Sequence, residues 1–303
     1  MIIKVSDNLK SLEVWANGRN LPSIMGEPSR DANGYIVYPE HKKKHAHTFK
    51  NPVLMTDNYQ IAQLNPTKRD TLFALYGAKP RIVEYNGVGV FWDDTHINVW
   101  CPSIDTILFA KALGRVFREK KNLKAAAEIG CGSGYLSKYV LSKNKRLRSM
   151  LINDINPYAI KCAKDNIKDR RANFYVGDGL KRIKNKKFDL LICNPPYIPR
   201  PGAQETNPYE GVGLLNHLIH EGRQYLNEGG VLVTNFSNLS RDIVFKNDPA
   251  MRMKILEKMR VPLKVNNVLN NKRWLNYLMR RGLKKENRPD YEYWQEINIA
   301  AFY

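Results

Sequence analysis

No stretch of this sequence approaches the roughly 18 uninterrupted apolar residues that mark a membrane-crossing helix. The first ten residues, MIIKVSDNLK, also lack the apolar core of a secretory signal. On this reading there is neither a membrane span nor an export signal, and a soluble, cytoplasmic chain is expected. Cysteine is scarce: Cys101, Cys131, Cys162 and Cys193 are the four in 303 residues, and no C-x-x-C pair occurs among them. That spacing fits neither a zinc site nor a dense disulfide framework, so reduced core residues and no bound metal are expected. The four recur every 30 or 31 residues without an accompanying sequence repeat, which is about the period of a βα unit. Acidic residues are outnumbered, 29 Asp+Glu against 49 Lys+Arg, for a formal net charge of +20. Apolar residues are not in short supply. At 43% hydrophobic the composition is ordinary for a globular protein and too apolar for a disordered one, so one or two folded domains are expected.

The charge is unevenly spread. Residues 1–110 hold 12 basic and 11 acidic side chains, residues 111–190 hold 21 and 7, residues 191–240 hold 2 and 4, and residues 241–303 hold 14 and 7. The basic runs 115–124 (RVFREKKNLK), 143–148 (KNKRLR) and 181–187 (KRIKNKK) are expected at helix ends and loops. Two readings stay open: solvated faces, or an electrostatic footprint for nucleic acid or a ribonucleoprotein.

Residues 1–80 are punctuated by Pro22, Pro28, Pro39, Pro52, Pro66 and Pro80, which predicts a small irregular N-terminal region with one helix over 67–76. His41, His45 and His47 in HKKKHAH are interleaved with lysines, which predicts a solvated loop in place of a metal site. Residues 82–100 predict a β-hairpin about the pair Asp93-Asp94. From residue 103 the pattern becomes α/β. Helix is expected over 105–118, strand over 125–129, helix over 135–142, strand over 149–153, and helix over 157–167 with Asn156 as its cap and Pro157 in its first turn. Strands over 173–176 and 188–193, a helix over 213–226 and a strand over 231–235 continue the series. Beyond these, 251–259 and 274–281 read as helical, and 261–268 and 293–302 as extended. The alternation predicts a doubly wound, mainly parallel sheet, with an N-terminal recognition or accessory region over 1–80 followed by a hairpin and an α/β domain over 81–303.

In such sheets the ligand lies beyond the carboxyl ends of the strands. The first strand ends in Glu128-Ile-Gly130-Cys131-Gly132-Ser-Gly134, whose glycines let the backbone turn tightly and approach a ligand. A G-x-G-x-x-G dinucleotide fingerprint would need glycine where Tyr135 stands, which disfavours a dinucleotide pyrophosphate. Asp154 follows the next strand, where a carboxylate can accept from both ribose hydroxyls, and Asp178 of VGDG follows the third, near a purine edge. Together they describe a pocket for an adenosine bearing a short charged appendage. Asn194-Pro195-Pro196-Tyr197 follows FDLLIC; the Asn194 amide oxygen and the Pro195 carbonyl are two acceptors that suit an NH2 group, and Tyr197 can stack on a flat one.

The set EIGCGSG, Asp154, GDG and NPPY resembles the class I S-adenosylmethionine-dependent methyltransferases, in particular those that methylate planar nitrogen. The likeness is greatest to the HemK/PrmC-type protein glutamine N5-methyltransferases of translation release factors. It is carried by NPPYIP at 194–199, GLLNHLIHEGRQYLNEGGVLV at 213–233 and CPSIDTILFAKAL at 101–113, within a stretch of roughly 82–240. The resemblance implies a seven-stranded Rossmann-like methyltransferase sheet with S-adenosylmethionine as cofactor. It implies a cofactor-contacting set of Glu128, Gly130, Cys131, Gly132, Gly134, Asp154, Ile155, Asp178, Gly179 and Asn194, and an acceptor-site set of Asn194, Pro195, Pro196 and Tyr197. Two departures stand out: residues 1–80 do not read as the family's compact helical domain, and Val233-Thr234-Asn235 stands where the family tends to carry a glutamate. The expected acceptor is a glutamine side chain of a translation-related protein such as a release factor. The alternative is an exocyclic amine of adenine or guanine in ribosomal RNA or another nucleic acid, with segments 111–190 and 241–303 gripping phosphates and Trp92, Trp100 or Tyr197 stacking on bases. For the two tryptophans, packing of the hairpin on the sheet is the competing role.

Overall fold

The computed structural model describes residues 2–10, 12–16, 29–30, 36–37, 45–49, 81–93, 95–202, 211–246, 251–263, 266–286 and 292–303. The helix expected over 67–76 lies outside them. The described N-terminal strands are β1 (Ile2–Val5), β2 (Leu12–Ala16), β3 (Ser29–Arg30), β4 (Ile36–Val37) and β5 (His45–Phe49), followed by the hairpin β6 (Arg81–Tyr85) and β7 (Val88–Trp92). A five-stranded sheet runs β5-β2-β1-β6-β7, and β3 pairs only with β4. The region expected to be irregular thus lends three strands to the hairpin's sheet. His45 and His47, expected in a loop, lie on β5, paired with Ala16 and Val14.

The hairpin forms as expected but turns elsewhere. Its two turn residues are Asn86 and Gly87, with φ of 50° and 70°. Positive φ at both positions matches the right-handed twist of the flanking strands, and Asn-Gly is the pair that tolerates it. Asp93 lies past the second strand, where its Oδ1 accepts from the Thr95 backbone at 3.1 Å and pairs with His96 Nδ1 at 2.9 Å.

The second sheet contains β8 (Ala125–Ile129), β9 (Ser149–Asp154), β10 (Ala172–Val176), β11 (Phe188–Cys193), β12 (Leu226–Ser237), β13 (Met253–Pro262), β14 (Lys284–Lys285) and β15 (Tyr293–Phe302). Its order is β10-β9-β8-β11-β12-β15-β13, with β14 pairing on β15. The pairs from β10 to β12 are parallel, and β15 runs antiparallel between β12 and β13. The helices are α1 (Ile104–Glu119), α2 (Tyr135–Lys143), α3 (Pro157–Asn166), α4 (Gly179–Ile183), α5 (Gly213–Glu221), α6 (Arg241–Val244), α7 (Asn266–Leu269) and α8 (Lys272–Arg280). This is a doubly wound, Rossmann-like sheet. No helix among the described residues is long and apolar enough to cross a membrane.

The expectation over 251–268 is corrected. Residues 253–262 form β13, and α7 follows where extended chain was expected. Lys, Met, Leu and Glu favour a helix in isolation, but β15 offers a ladder along this whole stretch, and the ladder prevails.

The main core lies between the second sheet and the helices α1 and α2. Ile192, Val233, Ile297 and Ile299 of the sheet join Ile107, Leu108, Leu113 and Val116 of α1 in one buried cluster that also takes in Val83, Val88 and Val90 of the hairpin. Polar contacts fix that docking. Asn166 of α3 exchanges two hydrogen bonds of 2.9 Å with the Phe91 backbone, and Lys138 and Lys143 of α2 each donate at 2.6 Å to the carbonyls of Gly89 and Asn86. The hairpin is thereby held as one wall beside the second sheet.

Candidate active site

Strands β8 and β11 are neighbours from which the chain winds in opposite directions, so a crevice opens beyond their carboxyl ends. Ile129 pairs with Cys193, which sets Gly130 and Asn194 as the next residues on the two strands. The glycine turn and the Asn-Pro-Pro-Tyr segment, 60 or more residues apart in the chain, therefore start side by side.

The glycine turn has left-handed backbone, with φ of 71°, 51° and 79° at Gly130, Gly132 and Gly134. The three are not equivalent. A Cβ on Gly132 would meet no atom within 4 Å, whereas one on Gly134 would stand 2.8 Å from the Ala163 Cβ. Gly132 borders open space, and Gly134 lets α3 pack against the turn. The turn is also tied to the end of β9: the Cys131 N–H donates to the Asn153 carbonyl and the Gly132 N–H to Asp154 Oδ2, both at 2.9 Å.

Asp154 is 9% exposed and accepts a second bond at 2.9 Å from the Asn156 N–H. Burial raises its carboxyl above the usual aspartate value, against the backbone N–H groups of Asn156, Gly132 and Ile155. Ile155 beside it is 47% exposed, an apolar side chain open to solvent. Asn153 clamps the next strand end, donating to the carbonyls of Tyr175 at 3.2 Å and Gly177 at 2.9 Å. A Cβ on Gly179 would collide with the Asn153 amide, which explains a glycine there. Asp178 caps α4, accepting from the Leu180 N–H at 3.1 Å, and its other oxygen lies 3.7 Å from Lys181 Nζ.

Glu128 is 1% exposed and accepts from both the backbone N–H, at 2.9 Å, and the hydroxyl of Ser137. Burial pushes its carboxyl up to about 8 despite these bonds. It thus links β8 to α2 under the glycine turn. Cys131 is buried, and burial raises its thiol.

On the other side of the crevice Asn194, Pro196 and Tyr197 are half-buried and Pro195 is buried. The Tyr197 ring packs against three separate buried clusters, and its hydroxyl lies 3.4 Å from Asp105 Oδ2 in the first turn of α1. Further along, the Trp274 indole N–H donates at 2.8 Å to the Pro199 carbonyl, so α8 pins the segment from behind. Ser137, Asp105, Asn153 and Trp274 were not picked out by the motif reading. Only Asp105 carries a local signal, an acidic residue in a helix's first turn; the others act through partners distant in the chain.

An α/β sheet with this strand order and a glycine turn facing an Asn-Pro-Pro-Tyr segment defines a Rossmann-like methyltransferase. Residues 105–242 match the model of the methyltransferase small domain. A relative from Methanocaldococcus jannaschii named "Putative protein N5-glutamine methyltransferase" is 31% identical over 203 residues, 62% of this chain and 98% of that one. A release factor glutamine methyltransferase from Aquifex aeolicus is 37% identical over 122 residues, which are 35% of this chain and 43% of that protein. Ribosomal RNA small subunit methyltransferase C from Psychromonas ingrahamii is 30% identical over 38% of this chain and 35% of its own length. The chain belongs to the methyltransferase family that includes the HemK-type protein N5-glutamine methyltransferases, and it is an enzyme.

Proposed function

We propose that the protein is an S-adenosylmethionine-dependent N-methyltransferase whose acceptor is a glutamine side chain of a translation-related protein. The observation that carries this is the meeting of Gly130 and Asn194 beyond the Ile129–Cys193 pair. A methyl donor and an amide nitrogen bound over these two segments would be neighbours.

The residues present fit the cofactor. Left-handed glycines at 130 and 132, each with open space where a Cβ would stand, leave room for a ligand against bare backbone. Asp154 keeps acceptor capacity for ribose hydroxyls beyond its two backbone N–H bonds, and exposed Ile155 offers an apolar surface for a base. In this reading Asp178 and Gly179 border the adenine, and Glu128, Cys131 and Gly134 keep the turn in shape. The cofactor would supply an electrophilic methyl group on a sulfonium.

The Asn194 amide oxygen and the Pro195 carbonyl would each accept one N–H of the acceptor, aiming its lone pair at the methyl carbon. An amide nitrogen is a weak nucleophile, and positive charge would build on it as the N–C bond forms and the C–S bond breaks, leaving a neutral thioether, before the nitrogen gives one proton to water. Acceptors fixed in advance therefore help most in the transition state. Pro196 stiffens the segment, and Tyr197 ties it to α1 through Asp105. Asn194→Ala should lose most turnover while cofactor affinity stays within about twofold, and Asp154→Ala should show the reverse pattern by calorimetry. Full turnover in Asn194→Ala would sink the assignment.

The choice of acceptor has its own test. The purified protein is incubated with labelled S-adenosylmethionine and a cell lysate, then treated with protease or nuclease. Label lost to protease and resistant to nuclease is expected. The opposite result selects the base-methylating alternative, which is favoured by the likeness to a ribosomal RNA methyltransferase and by the exposed cations of 181–187.

A further inference from the structure

Strand β12 carries a polar side chain that the role of Asn194 does not yet use. Cys193, the last residue of β11, pairs with Thr234 of β12, and continuing that parallel register one position past the strand end brings Asn194 beside Asn235. Val233, two residues earlier on β12, and Ile299, opposite Asn235, both enter the main core, which puts Asn235 on that face; Ile192, two residues before Asn194, enters it too. Asn235 is 0% exposed, and among the described residues neither its Oδ1 nor its Nδ2 has a hydrogen-bond partner. A fully buried carboxamide with both ends unpaired is costly, and native proteins rarely keep one that gains no partner in some working state. Its neighbours across the other side of β12 are on β15, where Ile299 is opposite and has nothing to offer an amide. Half-buried Asn194 is the polar group next to it along the sheet.

We propose that Asn235 is a positioning residue for Asn194. Its Oδ1 accepts an N–H of the Asn194 carboxamide once a ligand covers Asn194 and expels water from it. The inference rests on the acceptor-binding role assigned to Asn194 above. A carboxamide has two orientations of nearly equal shape, and only one presents oxygen to the acceptor; the other presents NH2, which opposes the acceptor's own N–H groups. An oxygen held in the core beside the Asn194 NH2 selects the productive orientation. Asn235 then touches neither cofactor nor acceptor and acts through Asn194 alone.

Two substitutions of similar shape separate this role from packing. Asn235→Leu removes the accepting oxygen, whereas Asn235→Asp retains one. The Leu variant should melt no lower than the parent, because it loses an unpaired buried amide. Its kcat should fall at least ~10-fold, with KM for the acceptor and cofactor affinity within about twofold. The Asp variant should recover turnover to within about threefold of the parent. Full turnover in a folded Leu variant overturns the inference, and so does equal impairment of the Leu and Asp variants. A readout independent of the acceptor is the Asn194 side-chain NH2 resonance pair with S-adenosylhomocysteine bound. Its exchange with water should be slow in the parent and fast in Asn235→Leu, and equal exchange in both also overturns the pairing. If the parent methylates no glutamine yet shows this difference, the acceptor assignment fails and the positioning role stands.

Discussion

At the scale of single residues, the glycine turn shows how one motif divides its labour. Gly132 borders open space and Gly134 borders the backbone of α3, although both have left-handed φ. Alanine at either position carries backbone strain of about 1 kcal/mol. Gly134→Ala must also displace Ala163, so it should lower the melting temperature clearly more than Gly132→Ala. Gly132→Ala should fold and instead lose cofactor affinity, because its methyl fills space left for the ligand. Calorimetric titration and thermal melts of the two variants check both halves; equal behaviour would remove the distinction.

Glu128 is the residue whose protonation the fold controls most directly. Its folded-state value of about 8 lies above the ordinary glutamate value because burial outweighs the bonds from Ser137. A carboxyl raised in this way stabilises the fold fully below its unfolded-state pKa, and that contribution is lost as pH rises through about 8. Glu128→Gln retains a neutral side chain at every pH. Relative to the parent, it should therefore gain stability as pH rises from about 4.5 to about 8 and keep a constant advantage above that in denaturant titrations. A stability difference independent of pH would rule out this titration. From sequence, Glu128 was legible as a strand-end acid of the site; its burial against Ser137 of α2 was not, since no motif links the two positions.

At the scale of elements, the strands that end in motifs were the most legible. The bounds of β8, β11 and β15 coincide with the expected ones, because each is an apolar run with sharp ends. Asn156 and Pro157 announced α3 correctly, and the cap accepts from the Tyr158 N–H at 2.9 Å. Reading failed where partners are far away. β13 has the composition of a helix and becomes a strand through its pairing with β15. The Asn86-Gly87 turn is the exception: its signal is local, and it was overlooked in favour of an acidic pair of which the Asp93 carboxylate caps a loop instead. The support of the proposed acceptor segment by α8 is a further case of distant partners. Trp274 is 5% exposed and packs with Ile198, while its indole holds the Pro199 carbonyl. Trp274→Phe keeps most of the apolar volume and orphans that carbonyl, a cost of about 1–3 kcal/mol. Its kcat should fall while cofactor affinity is retained, because the loosened segment is the proposed acceptor side of the site. Loss of cofactor affinity with unchanged kcat would place the effect elsewhere.

At the scale of the whole molecule, the charge of +20 divides into two populations. Some of the cations in 111–190 are engaged by the fold. Lys138 and Lys143 hold hairpin carbonyls, Lys120 donates to the Gly229 carbonyl at 2.9 Å, Arg171 bonds to Asp169 and to the carbonyls of Leu141, Asn144 and Leu147, and Arg115 pairs with Glu257 at 2.8 Å. Others point into solvent, and five of them, Lys181, Arg182, Lys184, Lys186 and Lys187, form one group on and after α4. Arg182 lies over the Tyr175 ring at 4.0 Å, a cation beside an aromatic face. Because Asp178 caps α4, this group flanks the proposed cofactor pocket and not the proposed acceptor segment, whose own stretch 191–240 is slightly acidic. A glutamine acceptor on a free protein would have no use for such a group, whereas an acceptor presented on a ribosome would. Each phosphate contact replaced by solvent ions lowers the slope of log affinity against log salt by about 0.7–0.9. Replacing the five cations by glutamine should leave cofactor affinity and turnover on an isolated protein acceptor near the parent's values. With a ribosome-bound acceptor the same variant should bind more weakly and with a flatter salt dependence. If the salt slope is unchanged there, these cations are a solvated face, and the grip on any ribonucleoprotein must come from elsewhere on the surface.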